Sequence, residues 1–118
     1  MIEIQQLSNV DVTTLADLPF HVRDQFSKSK LVRQCQADGF IDVSSRELFE
    51  RIRELSLGFK QFGLNQGDRV ALVADSCPEW IITDLAILTA GAVTVPIYPT
   101  LAAGQMKGIL ANCAARLV

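Results

Sequence analysis

One histidine, one tryptophan, one tyrosine and three cysteines are all that 118 residues supply of those types. Each scarcity closes a class of chemistry. His21 is the sole imidazole, and Cys35, Cys77 and Cys113 form no CxxC pair, so the ligand spacing of a zinc site is missing. Widely spaced cysteines in odd number also argue against a disulfide framework and read as reduced thiols of a cytoplasmic protein. The net charge of −2 leaves no basic excess to neutralise phosphates, which makes nucleic acid an unexpected partner. The opening MIEIQQLSNVDV lacks the basic and apolar regions of a secretory signal.

Motifs that carry chemistry are missing too. There is no GxxxxGK[ST] phosphate loop, no GxSxG elbow and no GxGxxG fingerprint; after the first apolar strand stands ADSCPEW instead. Ser27, Ser29, Ser44, Ser45 and Ser76 read as loop residues and caps, and His21 as a packing or surface histidine. Asp75 follows a strand end, where open α/β sheets keep their crevices, yet a polar lead-in to the next helix explains it. Trp80 and Tyr98 are candidates to line a pocket, with a core role the simpler expectation. No residue is assigned a catalytic, cofactor-binding or metal-binding role, and substrate-binding residues are left open.

What is present is a clear order of elements. Residues 1–18 show no firm period and read as a lead-in arm. Leu18 to Phe26 suits a short helix with Pro19 in its first turn. KLVRQCQ and FIDVSS are β-prone runs around Ala37-Asp38-Gly39, a hairpin signal. Ser44 and Glu47 have capping-box spacing, and Leu48, Ile52, Leu55, Phe59 and Phe62 then share one helical face up to the stop at Gly63. Glu47 and Arg51 make an i,i+4 pair on the wet side.

Val70 to Ala74 is apolar at every position, as in a strand of a parallel sheet covered on both faces. Ser76 to Glu79 repeats the capping-box spacing and opens a helix running to about Ala90, with Gly91 ending it. Val93 to Tyr98 is rich in β-branched residues and reads as a strand. Thr100 is placed to cap a further helix carrying Met106, Ile109, Leu110 and Cys113 on one face, weakened by Gly104 and Gly108. ARLV begins another strand.

The long apolar run from Pro78 to Leu101 is therefore a buried helix and strand. A membrane span would have to carry Asp84, Gly91 and Pro96 without a break and without basic flanks. The expected fold class is α/β: a partial parallel sheet with helices, β-α-β-α-β from about residue 69, preceded by a β-hairpin and an amphipathic helix. Residues 1–118 are expected to be one partial domain, because the last strand has only begun at Val118.

The string GDRVALVADSCPEWIITDLAILTAGAVTVPIYPTL resembles the N-terminal region of the adenylate-forming, AMP-binding acyl-CoA synthetases. The resemblance rests on Gly-Asp-Arg-Val-Ala at Gly67 to Ala71, Pro-Glu-Trp at Pro78 to Trp80, Ala-Gly-Ala at Ala90 to Ala92 and Val95-Pro96. It covers about Leu18 to Val118, and VPIYPTL is most similar to the long-chain fatty-acyl branch. The following helix departs from the family pattern, with Ala102, Gly104 and Gly108 where a proline, an acid and an aromatic are usual.

The resemblance implies an ATP-dependent long-chain fatty acid–CoA ligase: carboxylate adenylation, then thioester formation with CoA. ATP, Mg and CoA are implied for the parent enzyme and none for this segment, because the family's nucleotide loop and lysine fall outside the matched string. The segment alone is then expected to be inactive. Its implied partners are the remainder of the parent enzyme and, through the sheet edge at Arg116 to Val118, a second copy. A self-contained α/β binding or regulatory module is the alternative. Cytoplasmic location is expected, with a membrane-peripheral role as a weaker option suggested by the substrate class.

Overall fold

The computed structural model describes residues 12–118; the first part of the lead-in arm lies outside them. A 3-10 turn at Leu15–Asp17 is held by the Asp17 carboxylate, which accepts hydrogen bonds from the backbone and hydroxyl of Thr14 and of Thr13. Helix α1 (Leu18–Gln25) follows, with Pro19 in its first turn where a missing N–H does no harm.

Strands β1 (Val32–Gln36) and β2 (Gly39–Val43) pair antiparallel in the register Val32↔Val43 to Gln36↔Gly39. The turn is thus Ala37-Asp38, one residue earlier than an Asp-Gly turn, and Gly39 opens β2 at φ +138°. The register sends Val32 and Val43 to the core and places Arg33 beside Asp42 on the outer face. Arg33 Nε donates to Asp42 Oδ1 at 2.6 Å, and its guanidinium stacks over Phe40, 4.8 Å from the ring centroid.

Helix α2 (Ser45–Gln61) begins as expected, the Ser44 hydroxyl accepting from the Glu47 N–H at 3.2 Å. Ser45 is buried and bonds Lys28 twice, through N–H to the Lys28 carbonyl and through Oγ from the Lys28 N–H, tying the hairpin approach to the helix. Leu48 and Ile52 are buried as the periodicity predicts, whereas Phe62 is 81% exposed. The helix ends at Gln61, so Phe62 is already in the turn before Gly63 and no longer follows the helical face. Phe49, one step off that face, is buried instead because α1 covers it, Phe20 meeting it edge-on at 5.5 Å.

Strands β3 (Arg69–Val73) and β4 (Val93–Ile97) are parallel neighbours joined through α3 (Pro78–Thr89). Helix α4 (Ala103–Cys113) leads back to the other edge of β3, where Leu117 makes a parallel bridge to Val70. The expected β-α-β-α-β order is present, with its last strand reduced to that bridge. Two start sites differ from the expected ones. Cys77, not Ser76, is the N-cap of α3, and Ala102, not Thr100, that of α4, with the Ala102 N–H donating to Gln105 Oε1 at 3.1 Å.

Two apolar clusters hold the layers together. Val43, Leu48 and Ile52 pack on Ile82, Leu85 and Ala86 of α3; Leu64 and Val70 pack on Ile87, Ala90 and Ala92. β3 is not covered on both faces in this chain, since Val73 is 37% exposed. Among the described residues no helix is long and apolar enough to cross a membrane.

Ile52 sits in the first cluster, 1% exposed, so Ile52→Ala is expected to cost about 2–5 kcal/mol in denaturant unfolding. Phe62→Ala is expected to stay within about 0.5 kcal/mol of the parent.

The hydrogen bond from Arg33 holds the Asp42 carboxyl below its ordinary value of 3.8. That contribution is present above pH 3.8 and is lost as pH falls through the lower, folded-state value. Acid titration of Asp42→Asn should therefore show a shallower loss of stability below pH 3.8 than the parent shows.

Candidate functional site

Two places gather the residues singled out in the sequence. One is the carboxyl end of β3, where the chain turns into α3. An open cleft of about 580 Å³ lies there between β1 and the start of α3, lined by Gln34 and Cys35 on one side and Ser76, Cys77 and Trp80 on the other. Asp75 is exposed at its approach. Trp80 is brought to the cleft as a pocket-lining role requires, while Tyr98 is 77% exposed.

The first turn of α3 is the place where open α/β sheets usually hold an anion. Here Glu79 already occupies it. Its carboxyl is held below the ordinary range by its own backbone N–H, then by Arg51 of α2 and the Cys77 thiol. Arg51 Nη2 lies 3.1 Å from Glu79 Oε1, closer than its contact with Glu47 at 3.9 Å. The helix pair predicted within α2 is thus secondary to a tie between α2 and α3. Pro78 in the first turn removes one N–H donor as well. A second anion, such as a nucleotide phosphate, does not fit against that carboxylate.

The remaining expectations are answered by placement. The ring of His21 meets Phe26 edge-on at 5.6 Å, a packing contact. Ser44 and Ser45 serve α2, as described. The thiols of Cys35, Cys77 and Cys113 are free. Among the described residues no three His, Cys, Asp or Glu side chains form a group able to hold a metal ion.

The second place is the turn into β3, and sequence reasoning missed what its side chains do. Gly67, at φ +80°, donates its N–H to the Gly91 carbonyl at 2.9 Å. Asp68 Oδ2 accepts from the Asn65 N–H at 2.8 Å and faces Arg116 Nε at 3.4 Å, while its carbonyl accepts from Val93 N–H at 2.8 Å. Arg69 Nε donates to the Cys113 carbonyl at 2.8 Å, Nη2 to Ala114 at 3.4 Å and Nη1 to Gly67 at 3.2 Å. The first two acceptors are unpaired carbonyls at the end of α4, where a cation is favoured. Three consecutive residues thus join the α2–β3 turn, β4, α4 and the terminal segment.

That Gly-Asp-Arg joint, the open β3 end and the Ala-Gly-Ala turn are the features shared with known proteins. A family model described as AMP-binding enzyme matches residues 22–118. The chain belongs to that family. It is 41% identical over 91 residues to the long-chain-fatty-acid–CoA ligase FadD15 of Mycobacterium bovis, a match over 76% of this chain and 15% of that protein. It is 26% identical over 118 residues to the long-chain-fatty-acid–CoA ligase ACSBG2 of Xenopus laevis, covering 96% of this chain and 16% of that protein. The chain therefore spans about 15% of the length of the curated relatives it matches.

Among solved structures, the N-terminal subdomain of Klebsiella oxytoca NpsA in complex with 3-hydroxyanthranilyl-AMSN superposes with a TM-score of 0.76 at 26% identity, over 90% of this chain and 26% of that one. The fatty acid AMP ligase of Legionella pneumophila shares the fold with a TM-score of 0.82 at 19% identity, over 98% of this chain and 20% of that one. In this AMP-binding family member the joint is structural, and nothing at the cleft is arranged for bond-making.

α4 has no buried residue, so its attachment depends on the Arg69 fork more than on packing. Arg69→Lys should lose the fork and expose α4 to rapid amide exchange and proteolysis, with a cost of about 2 kcal/mol in unfolding. Comparable protection of α4 in parent and variant would show that the fork does not hold it.

Proposed function

We propose that this chain is the N-terminal portion of an ATP-dependent long-chain fatty acid–CoA ligase, in which it acts as scaffold. The observation that carries the reading is the 41% identity to a mycobacterial enzyme of that name across 91 residues. In the reaction, a fatty carboxylate attacks the α-phosphorus of ATP and releases pyrophosphate; the CoA thiol then attacks the acyl-adenylate carbonyl and releases AMP. ATP, Mg and CoA belong to the parent enzyme. The described residues do not fit them, since no acidic cluster could hold a metal and Glu79 fills the α3 terminus, so no step is assigned to this chain.

The remainder of the parent enzyme is the proposed partner. An apolar groove beside β3, lined by Phe59, Phe62, Val73, Leu117 and Val118, supports that reading, because Phe62 and Val118 are about four-fifths exposed there. Further sheet from the same enzyme would cover it.

The test is to read the gene past codon 118 and assay its full product for ATP–pyrophosphate exchange. Exchange with palmitate is expected to exceed that with acetate by tenfold or more, roughly the discrimination an extended apolar pocket provides. The 118-residue chain alone should show no exchange and should self-associate through the groove. Tight ATP or acyl binding by a monomeric 118-residue chain would instead favour a self-contained binding module.

A further inference from the structure

Helix α2 carries charges of both signs, but they are sorted by face. Glu47 and Glu54 lie on the flank toward α3 with Arg51, where Arg51 reaches Glu79. Arg46, Arg53 and Lys60 follow one another at helical spacing on the flank beside α1, and none of them enters an ion pair among the described residues. Two adjoining depressions run along that flank, sharing Arg23, Phe49 and Glu50. Lys28 joins them at the far end.

This face is strongly basic in a chain whose net charge is −2. Arg23, Lys28, Arg46, Arg53 and Lys60 are countered only by Glu50, which acts on Arg23, and by Asp24, which pairs with Arg23 at 2.6 Å. Apolar side chains stand among the cations: Phe20, Phe26 and Leu57 are each between 38% and 50% exposed. Two of the rings already touch cations, Arg23 lying 5.6 Å from the Phe20 centroid and Lys28 6.0 Å from that of Phe26.

We propose that the α1–α2 face docks on an anionic lipid bilayer. Cations on long flexible stems suit a layer of lipid phosphates, and each one near such a surface adds a measurable increment of affinity. Phe20, Phe26 and Leu57 enter the boundary between headgroups and acyl chains, a role that a nucleic-acid backbone or an acidic peptide gives aliphatic Leu57 no use for. The occupant follows from this charge and apolar complementarity and does not depend on which carboxylate the parent enzyme activates.

The experiment is co-sedimentation of the purified protein, in the longest form its gene encodes, with phosphatidylcholine vesicles with and without about one-third phosphatidylglycerol. Binding is expected only to the anionic vesicles, and it should be lost at about 0.5 M salt. The double variant Arg53→Gln with Lys60→Gln should lower the partition coefficient about thirtyfold at unchanged circular dichroism. Lys107→Gln, on exposed α4, should leave it unchanged, and Leu57→Ser should weaken binding without altering its salt dependence. No binding, equal binding to neutral vesicles, or an equal loss with Lys107→Gln and the double variant would each overturn the proposal. Capture of a single-stranded RNA oligonucleotide in place of the anionic vesicles would assign the face to nucleic acid and overturn it as well.

Discussion

Everything from the end of α2 onward depends on the three residues Gly67, Asp68 and Arg69. The parallel pair β3–β4 is only five residues long on each strand, too short to define its own register securely. The joint removes that freedom. Gly67 to Gly91 and Val93 to Asp68 are hydrogen-bonded ahead of the first paired residues, so both strands start from one clamped position. Gly67 and Gly91 both have φ near +80°, which lets two tight turns lie side by side where side-chained residues would be strained. Arg69 then extends the clamp across the sheet to the far end of α4.

This accounts for a family signature that contains no chemistry. Asp68 and Arg69 look like functional residues in a bare sequence, a carboxylate and a guanidinium side by side. In the fold they face different partners: Asp68 turns to the backbone of Asn65 and to Arg116, and Arg69 to carbonyl oxygens. Neither points into the cleft at the carboxyl end of β3. Pro78 and Glu79 behave in the same way, opening α3 and tying it to α2 through Arg51. What the string preserves is the placing of strand ends. In an open α/β sheet that is what positions reactive loops contributed from elsewhere.

The elements were legible where one local rule governed them. Ser44 caps α2, Gly63 and Gly91 end their helices, and the hairpin forms around Ala37-Asp38. Departures occur where a second rule competes. Ser76 and Thr100 have capping chemistry, but the chain enters α3 and α4 one and two residues later, so Cys77 and Ala102 take the cap positions. Phe62 fits the helical period numerically, yet the helix has unwound before it. The contacts of Arg69 join residues 44 and 45 positions apart, and no period or spacing in the sequence reports such a pairing.

The same limit explains why overall charge hid the most polarised surface. A net charge of −2 is a sum over every face, and within α2 acids and bases alternate closely enough to read as an ordinary solvated helix. Folding separates them, because α3 attracts the acidic flank through Arg51 and Glu79 while α1 brings Arg23 and Lys28 to the other. Charge sorted in this way costs the isolated helix some of its i,i+4 pairing, since Arg46, Arg53 and Lys60 take no carboxylate. It also leaves apolar surface at Phe20, Phe26 and Leu57 in water. Both costs are offset if the face meets an anionic, partly apolar layer, and a bilayer surface is a layer of that kind.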